Sequence, residues 1–261
     1  MRYLVLSDIH GNREALEAVL KDAVRHRYDC AICCGDLCDY GPDSNYVIDW
    51  ARASLAAVVR GNHDRVCAEL DTIDLFTDLA QASARWTMEQ LTADNRNYLR
   101  ELPPGPRLVD DCLILVHGSP RDEDEYVSSM KEVSDIFAFL AVNAGGTDTG
   151  NQVSALPFFF GHTHVQGVFV RAEGRTRGVS SPLTPVPEVR VRLETDAAYL
   201  INPGSVGQPR DGDPRAAYAV FDSTAREVAL CRVPYDHLTT ERKIVAAGLP
   251  LRLGVRLAFG R

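Results

Sequence analysis

The sequence predicts an α/β chain of the α+β kind, and three observations carry that expectation. Short apolar runs in the first third end abruptly in glycine and polar residues and alternate with helix-spaced segments. Beyond His164, strand-like runs follow one another without helices between them, which implies antiparallel pairing and a second sheet after the first. At 261 residues and 45% hydrophobic content the chain can bury a sizeable core, so one domain over 1–261 is expected.

The first run, 2–7, stops at Asp8-Ile9-His10-Gly11-Asn12, and 13–27 then carries Ala15, Leu16, Val19, Leu20 and Ala23 at helical spacing. The run Cys30-Ala31-Ile32-Cys33-Cys34, bounded by Asp29 and Gly35, reads as a buried strand that delivers Asp36 at its end. Tyr40-Gly41-Pro42-Asp43 is a turn signal, a helix is expected through about Ser54, and a strand near 56–59 ends at Gly61-Asn62-His63-Asp64. The pattern to this point is β-α-β-α-β, with polar residues at each strand's exit. Residues 64–102 have helical composition, with Trp86, Met88, Leu91, Tyr98 and Leu99 as core candidates, and Pro103-Pro104-Gly105-Pro106 forbids continuation. An aromatic and methionine set at such spacing signifies packing, so no chemistry is expected of that stretch.

A strand over 112–116 delivers His117, a helix is expected over 133–142, and the glycine-bearing 143–152 reads as a mobile loop. Phe158-Phe159-Phe160 ends at Gly161-His162-Thr163-His164. Later strands are expected at 167–171, 189–193, 198–202, 217–221 and 227–233, with 174–187 as an exposed hairpin loop. Residues 239–247 look helical, whereas Leu251, Leu253, Val255 and Leu257 alternate like a strand, so periodicity leaves that end open.

The formal charge of −8, with no run of Lys and Arg, argues against bulk nucleic-acid binding. A charge at Asp8 comes too early for a signal peptide, and no apolar run approaches the ~18 residues of a membrane span, so a cytoplasmic protein is expected. Seven cysteines include the crowded Cys30, Cys33, Cys34 and Cys38. Adjacent Cys33 and Cys34 point to opposite faces of a strand and no second Cys-x-x-Cys follows, so these read as reduced core thiols and not as a zinc cluster.

His10, His63, His117, His162 and His164 lie just beyond strand-like runs, with Asp8, Asp36 and Asn62 in equivalent places. One such histidine is ordinarily structural. Five together, beside carboxylates, indicate an open nitrogen- and oxygen-ligated metal centre suited to Zn, Mn or Fe.

Asp8-x-His10, Gly35-Asp36, Gly61-Asn62-His63-Asp64, His117 and Gly161-His162-Thr163-His164 resemble, in order, the five signature blocks of the calcineurin-like metallophosphoesterases. Asn202-Pro203-Gly204-Ser205 extends the resemblance toward the bacterial phosphodiesterase and diadenosine tetraphosphatase-like branch. The resemblance implies a four-layer αββα sandwich, two mixed β-sheets flanked by helices. It makes Asp8, His10, Asp36 and His164 ligands of one divalent metal ion, and Asp36, Asn62, His117 and His162 ligands of a second. A water between the two ions would become the hydroxide that attacks phosphorus. His63 would protonate the leaving oxygen, and Asp39 stands where the Ser/Thr phosphatase branch carries the carboxylate that orients this histidine.

Tyr40 departs from that branch, which follows the aspartate with a phosphate-gripping arginine, so protein phosphatase activity is the weaker expectation. Asn12, Arg13, Gly204, Ser205 and Arg210 are the candidate substrate contacts. Implied, then, is a metal-dependent hydrolase of phosphodiesters, phosphomonoesters or dinucleoside polyphosphates acting on a phosphoester or nucleotide small molecule. The alternative is a non-catalytic scaffold or regulatory protein on the same fold, as in a retromer-like branch. The complete set of ligand positions together with His63 favours the enzyme.

Overall fold

The computed structural model describes residues 1–143, 156–180 and 186–261. Two mixed six-stranded sheets pack face to face with helices outside. The first sheet is built on β1 (Arg2–Leu6), β2 (Cys30–Cys33) and β3 (Leu55–Val58), mutually parallel and joined by α1 (Arg13–Ala23) and α2 (Ser44–Ser54). In the second, β5 (Leu113–Leu115), β6 (Phe158–Phe159) and β10 (Ala198–Asn202) run parallel.

Strand alternation sorts the side chains into layers. Leu4 and Leu6 face α1 and α2, packing against Leu16, Val19, Val47 and Ile48. Tyr3 and Val5 point the other way and meet Leu115, Phe159, Val168 and Ile201 between the sheets. Cys33 and Cys34 divide in the same manner, and both are buried free thiols. The outer face of the second sheet is closed by α6 (Met130–Asn143), whose Val133, Ile136 and Phe137 cover Phe158, Phe160 and Leu200. Each fully buried Leu, Val or Phe contributes about 1.5–3 kcal/mol over leaving it exposed.

Three expectations are corrected. The late strands do not form a sheet of their own. β11 (Ala216–Asp222), β12 (Glu227–Val233) and β9 (Glu188–Arg192) add antiparallel to the open edge of β1, while β7 (Gly167–Ala172) and β8 (Arg175–Ser180) add to β10. An unpaired edge is a row of orphan donors and acceptors, and the late hairpins cover both. The 174–187 segment is likewise not one loop, because β8 occupies Arg175–Ser180 opposite β7.

The helical stretch 64–102 is three helices, α3 (Asn62–Cys67), α4 (Asp78–Gln90) and α5 (Ala93–Glu101), the last two capped by Thr77 and Thr92. A short strand absent from the sequence reading, β4 (Arg107–Val109), pairs with β5. The C-terminus is helical: α7 (His237–Ala246) and α8 (Leu251–Val255) lead into a 3-10 turn over Arg256–Phe259. Leu253 and Leu257, four apart, are buried, whereas Leu251 and Val255 are exposed, so the i,i+4 spacing decides over the alternation. The expected loop over 143–152 lies, beyond Asn143, outside the described residues.

Candidate metal centre

The C-terminal ends of β1, β2, β3, β5 and β6 meet along one edge where the two sheets face each other, and each exit loop carries candidate ligands. The loops are laced by main-chain bonds: Asp8 N donates to Gly35 O at 3.0 Å, His10 N to Asp36 O at 3.0 Å, and Gly161 N to His117 O at 2.8 Å. Asp8, His10, Asp36, His162 and His164 all have positive φ, between 49° and 65°. Non-glycine residues there cost about 1–3 kcal/mol each and persist where the surroundings over-determine them.

Two ligand groups result, each with its ligand atoms within 4.8 Å of one another: Asp8, His10, Asp36 and His164, and Asp36, His117 and His162. Asp36 belongs to both. Its Oδ2 lies 3.5 Å from His10 Nε2 and 3.4 Å from His117 Nε2. His164 Nε2 is 3.3 Å from Asp8 Oδ1, and Asn62 Oδ1 is 3.1 Å from His117 Nε2.

The donor set fits divalent cations. Nδ1 of His10, His117 and His164 faces the main-chain carbonyls of Cys38, Cys34 and Gln208 at 2.9, 2.8 and 2.6 Å, so each ring donates outward and turns its Nε2 inward. Asp8 Oδ2 and Asp36 Oδ2 are buried without a hydrogen-bond partner. Carboxylate oxygens left unpartnered among inward-facing imidazoles are satisfied by positive charge. The titration directions agree. Burial pushes both carboxyls up, but the surrounding imidazoles outweigh it and hold Asp8 and Asp36 below the usual carboxylate range. Burial opposes the imidazolium of His117, yet Asp36 and Asp8 lift it to about 10. Burial, with the neighbouring His117, pushes His162 down to about 3, and burial outweighs Asp36 at His10 and Asp8 at His164, holding both below their ordinary value.

His63 and Asp39 flank the ligand groups. His63 Nδ1 lies 2.6 Å from Asp39 Oδ2, and His63 N donates to Asp36 Oδ1 at 3.0 Å. Burial disfavours its cation, but Tyr40, Asp36 and Asp39 together raise it to about 9.

The remaining sequence candidates lie outside the ligand groups and are engaged by other partners or brace the ligand loops. Asn12 is a buried cap of α1 that accepts from Ala15 N at 3.1 Å and Thr240 Oγ1 at 3.1 Å and donates to Gly207 O at 2.8 Å. Arg13 pairs with Glu17 at 2.7 Å on the exposed face of α1. Ser205 Oγ donates to Asp8 O at 2.8 Å and accepts from Gln208 N at 2.7 Å, bracing the first ligand loop. Gly204 supplies the positive φ of 78° that this turn needs. Arg210 stands beside Tyr40, 5.8 Å from its ring centroid.

Three braces were missed. Asp64 accepts from Gly61 N at 3.1 Å and Leu37 N at 2.8 Å, tying the Asn62 loop to the Asp36 loop. Its place in the Gly61-Asn62-His63-Asp64 block was the available signal. Ser83 Oγ donates to Asp39 Oδ1 at 2.5 Å and accepts from Tyr40 N at 2.9 Å, so α4 holds the Asp39 turn despite the expectation that it takes no part. Gln208 orients His164, and no sequence pattern marks it.

A third group, His26, Glu188 and Cys231, lies apart from this edge. Arg25 and Arg190, each 2.7 Å from a Glu188 oxygen, already supply the positive charge there.

A model of the calcineurin-like phosphoesterase family matches residues 1–166. An uncharacterised protein of Methanocaldococcus jannaschii is 32% identical over 260 residues, covering 98% of this chain and 97% of that one. The crystal structure of a metallophosphoesterase from Sphaerobacter thermophilus is 35% identical, with a TM-score of 0.80 over the full length of both chains. A structure from Pyrococcus horikoshii OT3, 21% identical, shares the fold at a TM-score of 0.74 over 100% of this chain and 98% of that one.

Proposed function

The chain belongs to the calcineurin-like phosphoesterase family, and on that premise we propose that it is a cytoplasmic, single-domain phosphoesterase dependent on two divalent metal ions. The observation that carries this is the Asp36 carboxylate, whose orphaned Oδ2 faces His10 on one side and His117 on the other. Asp8, His10, Asp36 and His164 would hold one ion, and Asp36, Asn62, His117 and His162 the other, with Mn, Fe or Zn suited to the set. Bound there, such ions would supply an acidified water and the charge that polarises the phosphoryl oxygens.

The chain's own residues supply the rest. His63, held by Asp39 at 2.6 Å and pushed toward its protonated form by Tyr40, Asp36 and Asp39, is suited to hand a proton from Nε2 to the leaving oxygen. The main-chain lacing of the ligand loops fixes the acceptors before substrate arrives, so little reorganisation accompanies the reaction. Substrates are phosphodiesters, phosphomonoesters or dinucleoside polyphosphates.

The test is hydrolysis of bis-p-nitrophenyl phosphate, p-nitrophenyl phosphate and diadenosine tetraphosphate by manganese-loaded protein. Turnover of one of them that is lost on chelation supports the reading. Absence of turnover on all three, with metal bound, would favour a non-catalytic scaffold instead.

A further inference from the structure

Two guanidinium groups meet on one tyrosine ring beside the metal centre, brought there from distant parts of the chain. Arg256 opens the final 3-10 turn, and its guanidinium carbon lies 4.8 Å from the Tyr40 ring centroid. Arg210, in the loop after β10, is 5.8 Å from the same centroid. The Tyr40 ring in turn packs against His10 and His63, with centroids 4.7 and 4.6 Å apart.

These two arginines are under-partnered. Both donate to the neutral Gln208 Oε1, Arg210 at 3.2 Å, and the Nε of each is buried with no hydrogen-bond partner. Among the described residues neither forms an ion pair with a carboxylate, in contrast to Arg60, Arg65, Arg215 and Arg232. Asp39 contributes to the field at Arg256 but is already engaged by His63 and Ser83. Burial and the neighbouring Arg210 push Arg256 down to about 10, the direction expected of like charges held together. Such a pair is costly by itself and is relieved by an anion that both forks can grip.

Open space adjoins the Arg256 member of the pair. A cavity of about 730 Å³ between α4 and the C-terminal helices is lined by Arg252, Arg256 and Arg261, with Asp78 the single acid in its wall. A chain with a formal charge of −8 thus presents a local basic pocket at Arg256, whose guanidinium lies over the Tyr40 ring that packs against His10.

We propose that Arg210 and Arg256, seated on Tyr40, form a subsite for a second phosphate of the substrate. The enzyme then prefers molecules carrying another phosphate beside the scissile phosphoryl group over simple mono- or diesters. This rests on the phosphoesterase reading above and narrows its substrate class. It also gives a reason for Tyr40: the ring is the platform for guanidinium groups delivered from the far end of the chain.

The test titrates desalted, manganese-loaded protein calorimetrically with methylenediphosphonate, whose P–C–P bridge resists hydrolysis, and with methylphosphonate, its one-anion counterpart. The wild type should favour the diphosphonate by about tenfold or more, and Arg256→Met, which keeps the apolar stem, should cut that preference about fivefold or more. Because the Arg256 guanidinium is buried, Arg252→Ala on the exposed rim serves as a second variant, with a fall of about twofold expected. A wild-type preference under about threefold, or variants that weaken both probes equally, would overturn the subsite. Neither probe turns over, so failure to hydrolyse any phosphoester strikes the phosphoesterase reading, whereas loss of the diphosphonate preference strikes the subsite.

Discussion

His63 and Asp39 meet at 2.6 Å between Nδ1 and Oδ2, and the second oxygen of Asp39 is taken by Ser83 Oγ from a helix forty-four residues on. The imidazole is therefore fixed in tautomer and direction by a carboxylate that is itself fixed. The proposed proton delivery thus rests on contacts separate from the ligand groups, and the two are testable apart.

His63→Ala should lower kcat by about 10²–10⁴-fold while metal content is unchanged, since the side chain belongs to neither ligand group. Asp39→Asn should cost about 10–100-fold by releasing the ring. Steady-state kinetics beside elemental analysis of the same samples checks both. Retained turnover in His63→Ala would remove it from the mechanism.

Asp36→Asn should reduce bound metal at both positions at once, whereas His162→Ala should affect one. For the intact protein, each ion present at about 100 times its Kd adds about 2.7 kcal/mol, which for a chain of this size is roughly 5–10 °C in Tm. Chelation followed by thermal melting should show a loss of that order, restored by manganese.

Gly61→Ala probes the crowding behind Asp36. A Cβ at Gly61 would lie 2.0 Å from Asp36 Oδ1 and 2.6 Å from Asp36 N, so the carboxylate must move. Metal affinity should fall about 10–100-fold with the overall fold retained, as judged by circular dichroism and metal titration.

His26 gives a pH dependence of stability remote from the metal centre. Burial, followed by the charge of Arg25, holds it below its ordinary 6.5, despite Glu188 and Asp22; Arg190 adds to the downward push, and Tyr218 and Cys231 pack beside it. The unfolded chain then binds a proton that the native state refuses, so this contribution is whole above about 6.5 and is lost as pH falls below it. Glu188, which burial raises but Arg25 and Arg190 bring below 4.5, adds a further loss at lower pH. Denaturant midpoints at pH 7.5 and 5.5 should differ less in His26→Gln than in the wild type, and equal sensitivity would count against this account.

Leu253→Ala should destabilise by about 2–5 kcal/mol, because its side chain is fully buried with Tyr40, Ile244, Leu249 and Leu257. Since that cluster underlies Arg256, the variant should also blunt the diphosphonate preference.

The ligand-bearing loops were legible because each pairs an apolar run with an abrupt polar exit, and a parallel sheet gathers such exits at one edge. The helices capped by Thr77 and Thr92 fell inside one helical stretch because composition does not mark breaks. The C-terminal helices were ambiguous since Leu251, Leu253, Val255 and Leu257 satisfy alternation and i,i+4 spacing alike, and only burial chooses. The pairing of β11 with β1 joins residues more than 200 apart, for which local pattern holds no information. The same is true of Gln208 and Arg256, whose neighbours are decided by tertiary packing.

The left-handed backbone at Asp8, His10, Asp36, His162 and His164 implies a conflict between durability and reactivity. Glycine would relax in those corners, yet a glycine holds no ion. At His164 the buried imidazole also satisfies Gln208 O, so exchanging it for glycine would trade backbone relief for a cavity and an orphaned carbonyl, and the corner holds its shape through the side chain that strains it.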